Sequence, residues 1–96
     1  MTGYGFIFES ENKNKNEEWS DQEWPRLHDV NSVPVKGDLI DFRGILNDES
    51  VRDMLGDFGT INFNVIKRSL SYIEHESENG EKIIWQFYNL HLQPVT

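Results

Sequence analysis

Cysteine is absent from this chain of 96 residues. Its absence excludes a disulfide framework and any thiolate zinc site. Alanine is missing as well, and a chain without the best helix former is not expected to be a helical bundle. No apolar run exceeds three residues, the longest being Phe6-Ile7-Phe8 and Ile83-Ile84-Trp85. No segment is therefore expected to span a membrane. No basic stretch followed by an apolar one opens the chain, so no secretory signal is expected. Basic groups are scarce: nine Lys and Arg stand against seventeen Asp and Glu, a net charge of −8. Direct nucleic-acid binding is not expected, because it needs a basic face to displace counterions from phosphate.

Aromatic residues are plentiful, with six Phe, three Trp and three Tyr. They exclude a disordered acidic chain. The length suits one domain with one core, residues 1–96. Asparagine occurs nine times, a usage that suits an AT-rich genome. The expected setting is the cytoplasm of a bacterium, or a phage or mobile element within one.

Tyr4, Phe6 and Phe8 alternate onto one face of a first strand. Residues 9–18 carry no apolar side chain and read as a flexible, solvated loop. Ser20 and Glu23 have the spacing of a capping box, although Pro25 soon stops any helix. Arg26 to Val35 reads as extended and irregular. Trp19, Trp24 and Leu27 are expected either against the core or as an exposed aromatic contact surface.

Val33-Pro34-Val35-Lys36-Gly37-Asp38 holds a Pro-to-Gly turn that Asp38 helps to close, and Leu39 to Phe42 is the strand that follows, with Ile40 and Phe42 on one face. Asn47 or Asp48 caps a short helix through Leu55, with Val51, Met54, Leu55 and Phe58 as one apolar stripe and Gly56 and Gly59 as stop signals. Thr60–His75 and Glu81–Leu92 are two β-rich stretches. Asn79-Gly80 between them predicts a two-residue type I′ hairpin, with Tyr72 opposite Phe87 and Glu74 opposite Trp85. Such long strands invite a bulge. Apolar residues on both faces of the second stretch predict a strand buried on both sides.

Chemistry has few footholds. His28, His75 and His91 have no second histidine at metal-ligand spacing. Asp38 and Asp41 point to opposite strand faces and make no catalytic pair. No serine sits in a nucleophile elbow, and Gly3-Tyr4-Gly5 lacks the lysine and helix of a phosphate loop. No cofactor, metal or catalytic residue is assigned. Glu74, Glu76 and Glu78 form a row near the hairpin tip that reads as a solvated edge discouraging edge-to-edge pairing, with a surface for a basic partner as the alternative. The acidity is uneven: −4 over residues 1–33, −3 over 34–60 and −1 over 61–96.

Val33-Pro34-Val35-Lys36-Gly37-Asp38-Leu39-Ile40-Asp41-Phe42, followed by Phe63-Asn64-Val65-Ile66-Lys67-Arg68 and an apolar closing strand, resembles a pattern in small uncharacterised proteins of gut Bacteroidetes and their mobile elements. The resemblance covers about residues 33–92. It implies a small SH3-like or related β-barrel with helical insertions, and it brings no functional residues.

The expected fold is α+β: a small curled antiparallel sheet or SH3-like β-barrel of four to five strands with one or two short helices. The expected function is a non-enzymatic protein-binding module, with Trp19, Trp24, Tyr88, Glu74 and Glu76 as contact residues. One alternative is an acidic inhibitor or immunity-type protein that covers a basic surface. Another is a small enzyme using His28 or His75 with Asp29 or Asp41.

Overall fold

A computed structural model describes residues 2–22, 24, 27, 28 and 33–95, with the side chains of Leu27 and His28 left aside. Strand β1 (Thr2–Phe8) turns Phe6 and Phe8 inward, at 5% and 2% exposure, with Tyr4 packed beside them. Helix α1 (Lys13–Ser20) follows. The flexible loop expected over residues 9–18 is thus corrected: only the segment before Lys13 is loop. One buried residue, Trp19, anchors α1, so no apolar periodicity marks it. Local polar contacts hold the rest. Asn12 Oδ1 caps the first turn by accepting from the Lys15 N–H, Asn16 bonds back to the Ser10 backbone, and Lys15 pairs with Glu18 at 3.1 Å. The Ser20 capping role is corrected too. Ser20 ends this helix, and its hydroxyl accepts from the Phe8 N–H at 2.8 Å.

Strand β2 is the two-residue piece Leu27–His28, and most of the expected irregular run around it lies outside the described residues. The Asp38 turn forms as expected. The Val35 N–H donates to Asp38 Oδ2 at 2.9 Å, and Gly37 takes a φ of 97°. Strand β3 (Leu39–Asp41) runs into a single 3-10 turn that starts at Phe42, a residue with no exposed surface. Helix α2 (Asp48–Phe58) is capped by Asn47, whose Oδ1 accepts from the Ser50 N–H at 2.8 Å. It runs through Gly56 and stops at Gly59, in the left-handed region at φ 75°. Met54 is fully buried, with Val51 and Phe58 packed on the core, while Leu55 is turned outward.

Strands β4 (Asn62–Glu76) and β5 (Lys82–Pro94) form one long hairpin. The order across the sheet is β2-β1-β5-β4-β3. The fold is α+β: a curled half-barrel sheet with two helices. It is mixed rather than antiparallel, because β1 runs parallel to β5 from Thr2↔Gln86 to Phe8↔Leu92. Short turns force neighbouring strands to be antiparallel; β1 and β5 are joined by most of the chain, which imposes no direction.

The core lies where Phe6, Phe8, Phe42, Phe63, Leu90 and Leu92 meet α1 and α2. Phe8 is central to it. Its ring stands 5.6 Å from Phe42, 5.1 Å from Phe63 and 5.6 Å from Phe58.

Candidate interaction surface

Strands of fifteen and thirteen residues are longer than the body can cover. At about 3.4 Å per residue β4 extends roughly 50 Å, comparable with the long axis of the molecule, 46 Å against 26 and 24 Å. The far half of the hairpin is therefore an arm beyond the core.

The arm's turn differs from the expected one. Gly80, at φ 77°, closes a three-residue loop, with the Gly80 N–H bonded to the Ser77 carbonyl at 2.9 Å and the Ser77 N–H to the Glu81 carbonyl at 2.8 Å. This is the type I turn with a following left-handed residue, the next commonest hairpin after the two-residue form. The extra residue moves the register by one: Tyr72 faces Gln86, Ile73 faces Trp85 and Glu74 faces Ile84. The anticipated bulge is present. Val65 pairs with Leu92 and Lys67 with His91, so Ile66 is the extra residue on β4.

Paired residues share a face. One face of the arm carries Arg68, Leu70, Tyr72, Glu74 and Glu76 with Tyr88, Gln86, Ile84 and Lys82, and it continues into the core through Leu90. The other carries Ile73 and His75 with Phe87, Trp85 and Ile83. The strand expected to be buried on both sides is corrected here. Among the described residues eight large hydrophobics are exposed, and five of them, Leu70, Tyr72, Ile73, Ile83 and Ile84, are on the arm. They stay 38–65% exposed.

Polar contacts stiffen the arm. The Arg68 guanidinium lies 4.5 Å over the Tyr88 ring. Lys82 Nζ is 3.4 Å from Glu74, and Asn89 Nδ2 donates to Ser71 Oγ at 3.2 Å. His75 stacks obliquely by Trp85, with ring centres 6.2 Å apart. Where the arm joins the body, the Phe87 ring covers Gly5 so closely that an added Cβ would meet it at 2.9 Å.

Of the five expected contact residues, the fold gathers Tyr88, Glu74 and Glu76 on one face of the arm. It withdraws the two tryptophans. Trp19 is 3% exposed, and its indole N–H donates to Asp57 Oδ2 at 2.7 Å. Trp24 is half-buried, donates to the Trp19 carbonyl at 3.0 Å and meets the Phe6 ring at 5.2 Å. An aromatic core this rich consumes its own indoles. The missed residues, chiefly Tyr72 and Ile84, had a signal in the length of the hairpin.

Of the histidine–aspartate pairs proposed, His75 with Asp41 is the one whose two members are described, and they do not converge. His75 is on the arm, while Asp41 lies opposite Asn62 near the other end of β4 and accepts from the Arg43 N–H at 2.9 Å. His91 Nδ1 contacts Glu9 at 2.8 Å. The His28 side chain and Asp29 lie outside the described residues. An open hollow of about 650 Å³ beside Glu9, Glu11, Asp57 and Phe58 is acidic. Among the described residues no group of three or more His, Asp or Glu side chains is placed to hold a metal ion, and no helix is long and apolar enough to cross a membrane. No protein-family model matches the chain, and neither a curated protein nor a solved structure matches it.

Proposed function

We propose that the chain is a non-enzymatic protein-binding module whose contact surface is the β4–β5 arm. The observation that carries this reading is the concentration of exposed Leu70, Tyr72, Ile73, Ile83 and Ile84 on one projecting element. Apolar groups gathered this way leave water favourably only when a partner covers them. A rigid body displaying a contact element is a common plan for binding proteins. A cytoplasmic setting goes with this reading, on the cysteine-free composition.

Glu74, Glu76, Glu78 and Glu81, all exposed around the tip, favour a second reading, an acidic inhibitor that covers a basic surface. Salt separates the two, since exposed charge pairs are screened within about 10 Å at 0.1 M. The test is recovery of a partner from native cells, at low and high salt, by the wild-type chain and by a Tyr72→Ser/Ile84→Ser variant. The module reading expects a band that survives salt and is lost with the variant. A band that salt removes and the variant keeps overturns it in favour of the inhibitor.

A further inference from the structure

The outer edge of the arm is open. β3 covers β4 only at Asn62, Phe63 and Asn64. The backbone of Val65 is taken by the Gly37 N–H and the Asp38 carbonyl, at 2.8 and 2.9 Å. Beyond the bulge, no strand among the described residues lies beside residues 66–76 on that side. The bond from the Ser77 N–H to the Glu81 carbonyl fixes which groups face outward. Backbone direction alternates along an antiparallel ladder, so Lys67, Ser69, Ser71, Ile73 and His75 bond toward β5. Arg68, Leu70, Tyr72, Glu74 and Glu76 then present their N–H and C=O groups to the open edge.

We propose that this edge pairs with the same edge of a second copy of the chain, antiparallel about a two-fold axis through Ser71. The inference rests on the arm as the binding surface and names its occupant. Three observations choose a second copy and this register. The free edge is centred on Ser71, so pairing all of 66–76 with itself allows one antiparallel register. That register sets Arg68 against Glu74 of the second copy, Leu70 against its Tyr72 and Lys67 against its His75. The order along the edge, basic at Lys67-Arg68, apolar in the middle and acidic at Glu74 and Glu76, is complementary to its own reverse. A parallel copy would set like charges together. Shifting the axis to Tyr72 would set Arg68 against Glu76 but oppose Leu70 to Glu74 and leave part of the edge unpaired, and shifting it to Leu70 would oppose Arg68 to Tyr72.

The pairing is isologous and closes on itself. Its outward-facing residues form narrow pairs that each exchange two backbone hydrogen bonds. The net charge of −8 per chain does not forbid it. Antiparallel arms leave the two bodies at opposite ends of the shared sheet, well beyond a Debye length of about 8 Å at physiological salt.

The test is sedimentation equilibrium over a range of protein concentration, with charge-reversal variants and one cross-link. Wild type is expected to dimerise reversibly. Arg68→Glu and Glu74→Arg alone are each expected to weaken the dimer roughly tenfold, since two symmetric pairs change from attraction to repulsion. The double variant is expected to restore it. Ser71→Cys should give a disulfide-linked dimer on mild oxidation, because a non-hydrogen-bonded pair brings its Cα atoms to about 4.5 Å, within disulfide range. Ser69→Cys is the control and should cross-link far less. A chain monomeric at every concentration, or a dimer indifferent to both single reversals, overturns the proposal. A monomer whose cellular partner still needs Tyr72 and Ile84 overturns self-pairing alone. A recovered partner that the Tyr72→Ser/Ile84→Ser variant still binds overturns the arm reading as well.

Discussion

The indole N–H of Trp19 donates to Asp57 Oδ2 at 2.7 Å, tying the end of α1 to the last turn of α2 across 38 residues of sequence. Trp19 is 3% exposed, so water cannot replace the acceptor cheaply. Asp57→Leu should cost about 1–3 kcal/mol, the usual penalty for stranding a buried donor. Asp57→Asn keeps an oxygen acceptor and should cost less. Urea unfolding followed by tryptophan fluorescence reads both, and a leucine variant within about 0.5 kcal/mol of wild type would deny the bond a structural role.

The Lys15 ammonium is shared between Glu18, at 3.1 Å, and the same Asp57 carboxylate, at 3.6 Å. The hydrogen bond to Glu18, and then the charge of Asp57, hold its ammonium above the ordinary lysine value. The protonated form is favoured by folding, so its contribution is complete below the ordinary lysine value and fades as pH rises through the raised one. Stability near neutrality should not vary on its account. Lys15→Met should flatten the alkaline side of a melting-temperature profile and leave the neutral part unchanged in shape.

Leu90 and Ile84 stand on the same face of the same strand, one in the core and one on the arm. Leu90 has no exposed surface, whereas Ile84 is 63% exposed. Leu90→Ala should cost about 2–5 kcal/mol, transfer plus cavity. Ile84→Ala should fall within about 0.5 kcal/mol. Chemical denaturation of the two variants side by side would show whether the core ends where the arm begins. Equal costs would mean that something in the free chain covers the arm.

Gly80 holds a φ of 77° in the arm's turn. Gly80→Ala should cost about 1–2 kcal/mol, the strain of a Cβ in the left-handed region. Gly80→Asn should cost less, since asparagine visits that region more readily. Amide chemical shifts along β4 and β5 would report whether the register is kept.

Much of this fold can be read from the chain because local chemistry decides it. Tyr4, Phe6 and Phe8 announce their strand by alternation. Asp38 and Asn47 mark a turn and a cap with side chains that have little else to do there, and Gly59 marks a stop because it lacks one. What escapes the sequence depends on partners far away or on one residue alone. Helix α1 hides because only Trp19 reaches the core and a single residue has no period. The parallel run of β1 along β5 hides because alternation shows a face and no direction. The turn at Gly80 hides its length, since Asn-Gly serves two-residue loops and the final two places of three-residue loops. The candidate surface was half legible: Tyr88, Glu74 and Glu76 lie on it, while Trp19 and Trp24 were drawn inward by the aromatic cluster. The arm's apolar residues were visible, but their exposure follows from how little body the chain has left to cover them.

The parallel pairing of β1 with β5 also orders events in time. Thr2 meets Gln86 and Phe8 meets Leu92, so beyond the two-residue β2 the first strand has no neighbour along its length until β5 exists. The hairpin closes through a three-residue loop and needs only itself; contacts of short sequence separation carry little loop-closure cost and form early. During synthesis β1 is made well before β5, and its long parallel side stays unpaired in the interval. The hairpin would then serve as the template on which β1 is laid.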